Sequence, residues 1–339
     1  METRTLGVLG PVPAIGLGCM GMSDLYGPAD RAESLATIRT ALDRGVTLLD
    51  TADFYGAGHN ELLVREALAA RDRDAALISV KFGALRDPGG GWLGTDARPQ
   101  AVKNALAYTL RRLGTDHVDV YRPARVDPTV PIEDTVGAIA ELVQAGYVRH
   151  VGLSEIGPDT LRRAHAVHPV SDVQIEYSLL SRGVEDGLLD TARELGVGIT
   201  AYGVLSRGLL SGHWRPDRAL DGDFRATSPR FQDGNLQRNL ALVERLRALA
   251  DARGATVAQL AIAWVLHRGG DIVPLVGARR RDRLTESLGA LDLAMDPADL
   301  AAIEAAVPPG AAAGERYAPA QLALLDSERA GSAPATRAR

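Results

Sequence analysis

Eight short apolar runs recur along the chain, and longer amphipathic stretches lie between successive runs. The runs have the length of buried strands, whereas the stretches between them have helical periodicity. Glycine follows several of these stretches, where it ends a helix at little cost in a left-handed conformation. Eight such units in about 300 residues fit a closed barrel better than an open sheet, so the sequence predicts an α/β fold, a (β/α)8 TIM barrel. The predicted strands are Ala14–Gly18, Thr47–Asp50, Leu77–Lys81, Val118–Arg122, Val148–Leu153, Val173–Ile175, Gly198–Ala201 and Ile272–Val276.

The remainder of the chain predicts additions to one barrel rather than a second domain. The opening RTLGVLGPVP is typical of a β-hairpin ahead of the barrel. Ser206–Asn235 is long and rich in Gly, Pro and Asp, which predicts a functional loop at the barrel mouth. We therefore expect a single domain over residues 1–330 and a disordered tail over residues 331–339.

Charge and cysteine content exclude several classes of function. The 38 basic and 43 acidic residues are interspersed and give a net charge of −5, so no basic stripe suggests nucleic acid. A single cysteine fits a reducing compartment, and His and Cys residues do not cluster as metal ligands. With neither a signal peptide nor an apolar run of membrane-spanning length, we expect a cytoplasmic protein without a metal. The oligomeric state stays open.

The segment GLGCMG at residues 16–21 matches the glycine pattern of dinucleotide-binding Rossmann folds. That fold requires a helix to open on the glycines and an acidic residue about 20 positions later. Here the turn-rich MSDLYGPAD follows, and Asp50 comes 29 positions after Gly21. We interpret the segment as a tight turn after the first strand.

Three residues at predicted strand ends suggest proton transfer. Asp50 and Tyr55 follow the second strand, and Lys81 ends the third. The carboxyl ends of barrel strands meet at one mouth. A phenol titrates near pH 10, so a nearby ammonium is expected to lower its pKa, with the carboxylate holding the lysine in place. The structural alternative stays open: Asp50 could cap a helix, and Lys81 could pair with any acid.

Arginines follow the eighth predicted strand in the segment GARRRDRLTESLGA. A helix start that carries arginines is suited to bind phosphate. The alternative is a solvated basic face, which a position directly after a buried strand makes less favourable.

At this point the chain resembles the aldo-keto reductases, from about Gly7 to about Asp326. The motifs that carry the resemblance are LLDTADFYG with GHNE after it, ISVKFG, VPIEDTVGAIAELVQAGYVRHVGLSE, VQIEYSLLSR, ITAYGVLSRGLLSG and IVPLVGARRRDRLTESLGAL. The resemblance implies an NADPH-dependent reductase of aldehydes or ketones on a (β/α)8 barrel. It places Asp50, Tyr55 and Lys81 at three of four catalytic positions, with Tyr55 as the general acid.

The same resemblance implies a binding site for NADPH/NADP+. Tyr202 would stack on the nicotinamide, Ser154 and Gln174 would bind its carboxamide, and Glu155 stands where many members have Asn. The loop Leu205–Leu210 would cover the pyrophosphate. Two arginines at a 2′-phosphate favour NADP over NAD. The implied cofactor contacts are Met20, Gly21, Asp50, Ser154, Gln174, Tyr202, Gly203, Leu205, Arg207, Gly208, Leu209, Gly277, Arg279, Arg283, Glu286 and Ser287.

The fourth strand departs from the family pattern in VYRPARVDP, where Ala124 stands at the usual position of the catalytic histidine. We expect Ala124 to leave room for a bulkier substrate. Arg122, two residues earlier, would share its face and form an ion pair with Glu176, Glu155 or Asp50, in either a structural or a compensating catalytic role.

Two further side chains complete the predicted surroundings of the small-molecule carbonyl substrate. Trp92 would line the pocket, and His59 would brace a loop rather than replace the missing histidine. An NADPH-binding sensor or regulatory protein with weak catalysis, because of Ala124, is the alternative function.

Overall fold

A computed structural model describes residues 1–215, 218, 220, 222–232 and 234–328. Eight parallel strands close into one barrel in the order β10-β11-β12-β3-β4-β5-β8-β9, which confirms the predicted (β/α)8 architecture. The barrel strands are β3 (Gly16–Gly18), β4 (Leu48–Ala52), β5 (Leu77–Phe82), β8 (Val118–Pro123), β9 (Val148–Ser154), β10 (Val170–Glu176), β11 (Gly198–Tyr202) and β12 (Ile272–Gly277). The first barrel strand thus begins at Gly16, two residues later than predicted.

Helices surround this barrel and bury their apolar faces against it. The helices are α1 (Arg31–Asp43), α2 (His59–Leu68), α3 (Pro99–Leu113), α4 (Ile132–Gln144), α5 (Pro158–Val167), α6 (Leu188–Glu194), α7 (Asn235–Asp251), α8 (Val257–Leu266), α9 (Arg281–Leu288), α10 (Pro297–Ala306) and α11 (Pro319–Leu322). Helix α8 carries buried residues along its whole length, including Trp264, and begins with a capping box at Thr256 and Gln259. Among the described residues, no helix combines the length and apolar character needed to cross a bilayer.

The predicted N-terminal hairpin is present and closes the bottom of the barrel. Its strands, β1 (Thr3–Thr5) and β2 (Pro11–Pro13), pair antiparallel. A Cβ on Gly7 would lie 2.1 Å from the Ser171 carbonyl oxygen, and Gly7 has a φ of 51°, so only glycine fits this contact. The hairpin therefore seals the end of the barrel opposite the strand ends that carry the predicted site.

Two more elements shape the mouth. A short antiparallel hairpin, β6 (Ala84–Arg86) and β7 (Trp92–Thr95), follows β5. The described part of the predicted loop Ser206–Asn235 contains three 3-10 segments, which are Ser206–Ser211, Phe224–Thr227 and Pro229–Phe231. The predicted disordered tail, residues 331–339, lies outside the described residues.

Candidate active site

The ends of β4 and β5 bring Asp50, Lys81 and Tyr55 together at the barrel mouth. The two strands pair in parallel, with Ala52 opposite Lys81, and Tyr55 begins a short 3-10 turn just after β4. Lys81 forms an ion pair with Asp50, and its Nζ lies 5.0 Å from the centroid of the Tyr55 ring. All three residues are buried. The structure thus assembles the three residues that the sequence singles out.

Asp50 is also held by donors from β5 and β10. One carboxylate oxygen accepts a hydrogen bond from Ser79 Oγ at 3.0 Å and another from Gln174 Nε2 at 2.7 Å. The other oxygen binds Lys81. Asp50 is therefore a fixed carboxylate in the barrel interior, and the helix-capping alternative is wrong.

Burial, rather than the lysine charge, dominates the titration of this cluster. It raises the pKa of Tyr55 well above its usual value, Asp50 adds to the rise, and Arg125 opposes it. Burial also lowers the pKa of Lys81, against the attraction of Asp50. The expectation that Lys81 would lower the pKa of Tyr55 is thus wrong, because Asp50 offsets the lysine charge and the phenol is desolvated. Tyr55 therefore keeps its proton at neutral pH, which is the form that an acid requires.

Arg122 lies inside the barrel, with 1% of its surface exposed. Its guanidinium donates to both carboxylate oxygens of Asp172, at 2.8 and 3.2 Å, and to Ser79 Oγ at 3.1 Å. The predicted ion pair exists, but its partner is none of the three predicted carboxylates. Asp172 and Gln174 are two residues apart on β10, so both side chains point into the barrel. This alternation along the strand is the sequence feature that could have indicated Asp172 as the partner of Arg122. Arg122 therefore belongs to the barrel interior and not to a substrate pocket.

Ala124 is buried just beyond the end of β8, with 2% of its surface exposed. Its amide donates to the Phe82 carbonyl at 2.8 Å, and its carbonyl accepts from Arg125 Nη1 at 2.6 Å. The expectation that this alanine opens space for a bulkier substrate is wrong for this conformation, because the residue is enclosed.

Trp92 lies on β7 with half of its surface exposed. Its ring is 5.8 Å from that of Phe54, which in turn lies 4.9 Å from the ring of Tyr55. This aromatic row connects Trp92 to Tyr55, and the role of Trp92 as a pocket wall stays a prediction. His59 Nδ1 lies 2.8 Å from Ser23 Oγ, which fits the predicted bracing of a loop.

The predicted nicotinamide contacts lie at three neighbouring strand ends. Ser154 ends β9 and Gln174 is near the end of β10, and both are buried. Tyr202 ends β11, and its hydroxyl donates to Glu155 Oε1 at 2.6 Å. In this structure the Gln174 amide donates to Asp50, so the predicted carboxamide ligand also holds the Asp50 carboxylate in place.

The loop after β11 turns tightly, with several residues in the left-handed region of backbone conformation. Gly203, Arg207 and Gly208 all have positive φ, at 66°, 58° and 100°. The Arg207 guanidinium donates to Glu176 Oε2 at 3.4 Å. In the same predicted pyrophosphate loop, Leu205 packs against the core and Leu209 is fully buried.

The predicted phosphate side lies where β12 leads into α9. Gly277 ends the strand, and a Cβ built there meets no atom within 4 Å. Arg279 donates to the carbonyls of Tyr26, Gly27 and Pro28, at 3.2, 3.4 and 3.1 Å. Among the residues that the structure describes, no carboxylate pairs with Arg279, so its charge remains available.

The remaining predicted cofactor contacts lie in the first turns of α9 and after β3. Arg283 Nη1 binds Glu286 at 2.9 Å, and Ser287 Oγ donates to the Arg283 carbonyl at 2.8 Å. Met20 and Gly21 form a 3-10 turn directly after β3, as the tight-turn interpretation of GLGCMG predicts.

Sequence and structure comparisons identify the family of this chain. The model of the Aldo/keto reductase family matches residues 14–308. The chain belongs to the aldo/keto reductase family of oxidoreductases. It is 41% identical over 307 residues to the probable aldo-keto reductase 1 of Glycine max, across 90% of this chain and 88% of that relative.

Two solved structures resemble this family member over almost their whole length. The glycerol dehydrogenase of Gluconobacter oxydans has a TM-score of 0.81 and 28% identity, over 91% of this chain and 97% of that chain. An aldo/keto reductase from Klebsiella pneumoniae, solved with NADP and acetate, has a TM-score of 0.73 and 28% identity, over 94% and 99% of the two chains.

One part of the barrel mouth was not predicted from the sequence. Residues 313–328, here called the C-terminal segment, cross the carboxyl ends of the strands. Arg316 forms a two-pronged ion pair with Glu155, at 3.0 and 2.6 Å, and Ser327 Oγ donates to the same carboxylate at 2.8 Å. Asn239 fixes the start of the segment through two hydrogen bonds with the main chain of Ala313. The segment is therefore fastened at both ends.

The ion pair also determines the charge of Glu155. Burial alone would raise the pKa of this carboxyl, but Arg316, Arg125 and the hydrogen bond from Tyr202 lower it to about 2. The Glu155 carboxylate is thus ionised, and both of its oxygens accept hydrogen bonds from Arg316. Tyr317, the next residue, places its hydroxyl 3.0 Å from that of Tyr202, so the C-terminal segment reaches the predicted nicotinamide site.

Proposed function

We propose that this family member is an NADPH-dependent carbonyl reductase, acting on the CH–OH or carbonyl group of an aldehyde or ketone. Tyr55 would donate a proton to the carbonyl oxygen. The observation that carries the proposal is the buried cluster in which Lys81 pairs with Asp50 and lies 5.0 Å from the ring of Tyr55. Three strand-end residues of these types at one barrel mouth are suited to proton transfer.

The choice of NADPH is supported by the charges at the start of α9. The Arg279 guanidinium contacts only main-chain carbonyls among the described residues, so it could bind a 2′-phosphate. Arg283 lies one helical turn further on, with its side chain 43% exposed. The related Klebsiella pneumoniae enzyme was solved with NADP. When bound, this cofactor supplies the hydride.

The protein's own residues would perform the remaining tasks. Asp50 fixes the ammonium of Lys81, and Tyr55 holds its proton until the carbonyl oxygen gains charge. Tyr202 would stack on the nicotinamide ring, while Ser154 and Gln174 would bind its carboxamide. The glycine-rich backbone of the loop after β11 would lie against the pyrophosphate.

We further propose that Ala124 occupies the position of the family's catalytic histidine. Losing one donor to a developing oxyanion typically costs ~10²–10³ in rate. Tyr55 would still supply the proton, so the reaction would be slowed rather than abolished. A sensor that binds NADPH and catalyses weakly is the second candidate, and the enclosed alanine is the observation that favours it.

The test is NADPH consumption, followed by absorbance, with a panel of aldehydes, quinones and bulky ketones. We expect saturable turnover that Tyr55→Phe lowers by about 10²–10⁴, the usual contribution of a general acid. Tyr108→Phe is the matched control, since Tyr108 is 58% exposed on α3. Turnover that survives in Tyr55→Phe would contradict the role of Tyr55. NADPH binding without Tyr55-dependent turnover would favour the sensor.

A further inference from the structure

Arg125 differs from three neighbouring arginines at the mouth because, among the described residues, it lacks an acidic partner. Its Nη1 donates to the Ala124 carbonyl at 2.6 Å, and its Nη2 lies 3.4 Å from Tyr317 Oη. Among the described residues, no Asp or Glu oxygen lies within 4 Å of its guanidinium. Three nearby arginines each bind buried carboxylates, and they are Arg207, Arg230 and Arg316. A partly buried guanidinium whose donors reach only neutral oxygen atoms can bind an anion through charge-assisted hydrogen bonds.

Arg125 follows Ala124, whose amide binds the carbonyl of Phe82 next to Lys81, so Arg125 lies on the side of the mouth that carries the Asp50–Lys81 pair. Burial and Asp50 raise the pKa of Tyr55, and the positive charge of Arg125 acts in the opposite direction. On its other side, Arg125 lies 5.9 Å from the centroid of the Tyr317 ring. The Tyr317 hydroxyl is 3.0 Å from that of Tyr202. The guanidinium is thus placed between the proposed acid and the C-terminal segment.

The barrel order separates Arg125 from the proposed phosphate side. Arg125 follows β8, whereas Arg279 follows β12. Four steps around the closed sheet (β12 to β3, β4, β5 and β8) separate these strands, so they lie on opposite sides of an eight-stranded barrel. The cofactor's phosphates are therefore poor candidates for the anion at Arg125, and the substrate is the better one.

We propose that Arg125 binds a carboxylate of the substrate, with Tyr317 as a neighbouring hydrogen-bond donor, so that the preferred substrates are carbonyl compounds bearing an acidic group. The inference rests on the proposed reductase function and specifies its substrate class. In the unliganded chain the Arg125 guanidinium already donates to the Tyr317 hydroxyl and to the Ala124 carbonyl. A charged acceptor would compete well with them, because a hydrogen bond between charged groups is about twice as strong as a neutral one.

The test compares two aldehydes of similar shape, 4-carboxybenzaldehyde and methyl 4-formylbenzoate, in the full-length chain with NADPH. We expect kcat/KM to favour the acid by about tenfold or more, the value of one charge-assisted hydrogen bond. Arg125→Gln should reduce this ratio to about one, mainly through the KM of the acid, and Arg125→Lys should keep part of it. Arg98→Gln, at an exposed arginine paired with Asp96, is the control and should keep the full ratio. A wild-type ratio near one, or a ratio that Arg125→Gln leaves unchanged, would overturn the inference.

Equilibrium binding separates this inference from the proposed function. Isothermal titration calorimetry with benzoate and with benzamide, in the presence of NADP+, needs no turnover. We expect benzoate to bind at least about tenfold more tightly than benzamide, and Arg125→Gln to remove the difference. That result would support the carboxylate site even if Tyr55 proved to have no role in turnover. Equal binding of the two probes by the unaltered chain would overturn it.

Discussion

Arg122 binds both carboxylate oxygens of Asp172 inside the barrel, at 2.8 and 3.2 Å, although β9 separates their strands. The side chains are 1% and 0% exposed. Thr200 and Ser171 also donate to Asp172, so the carboxylate is fully engaged. A buried pair of this kind stabilises the fold only while both partners are present, because each one neutralises a charge that water cannot reach.

We therefore expect Arg122→Leu to lower the free energy of unfolding by about 3–5 kcal/mol, since it leaves the buried carboxyl of Asp172 without its charge partner. Urea unfolding followed by circular dichroism measures the change. The double variant Arg122→Leu/Asp172→Leu should recover part of the loss, because it removes both charges. If Arg122→Leu is as stable as the unaltered chain yet loses turnover, then the residue acts in catalysis and not in the fold.

The sequence predicts the barrel and the cluster of Asp50, Tyr55 and Lys81 because both depend on local pattern. Asp50 and Lys81 end adjacent strands, so parallel pairing alone brings them together. The partner of Arg122 depends on which side chains meet inside a closed barrel, and alternation along a strand offers several acids. Arg316 reaches Glu155 across 161 residues, and no periodic pattern marks such a contact. The raised pKa of Tyr55 follows from burial, which becomes known only once the mouth has been built.

Removing Arg316 should both destabilise the chain and release the C-terminal segment. Arg316→Met leaves Glu155 ionised and buried, so we expect a loss of about 3–5 kcal/mol in the free energy of unfolding. Arg31→Met, which breaks the exposed pair with Glu66, is the control and should cost no more than about 1 kcal/mol. Limited proteolysis should cut the segment faster in Arg316→Met alone. Equal protection in both variants would mean that other contacts hold the segment.

Lowering the pH should weaken the ion pair between Glu155 and Arg316 over a defined pH range. The pKa of Glu155 is lowered from 4.5 to about 2 in the folded chain. The unfolded chain therefore takes up the proton first as pH falls, so the stabilisation is complete above about pH 4.5 and is lost towards pH 2. The difference in unfolding free energy between the unaltered chain and Glu155→Gln, measured from pH 6 to pH 2.5, should shrink across this window. A difference that stays constant would contradict the ion-pair account.

Arg279 should discriminate between the two nicotinamide cofactors. Because its guanidinium is proposed to bind the 2′-phosphate, Arg279→Gln should weaken NADPH binding by about tenfold or more and change NADH binding little. Fluorescence titration with each cofactor measures both affinities. Arg280→Gln is a suitable control, since Arg280 is exposed and pairs with Asp282. Equal weakening of both cofactors in Arg279→Gln would instead indicate that the residue only braces the loop of Tyr26, Gly27 and Pro28.

Asp53 should make the stability of the chain depend on pH near neutrality. Burial and the charge of Glu61 raise the pKa of its carboxyl from 3.8 to about 7, against the opposing effect of Arg112. Between about pH 4 and pH 7 the folded chain holds this proton and the unfolded chain does not. The free energy of unfolding therefore falls as pH rises through this range, and it levels off above pH 7.

Asp53→Asn removes that titration, so we expect its stability relative to the unaltered chain to rise from pH 5 to about pH 7 and then to level off, as measured by urea unfolding. Asp251→Asn, at an exposed position on α7, controls for a change in net charge and should follow the unaltered chain. The gain in stability should arise because the folded variant no longer has to bury an ionised carboxylate at position 53 beside Glu61. Arg112 does not compensate for that carboxylate, because it already forms an ion pair with Glu61. If Asp53→Asn and the unaltered chain instead lose stability in parallel, Asp53 is already ionised at pH 5 in the folded protein.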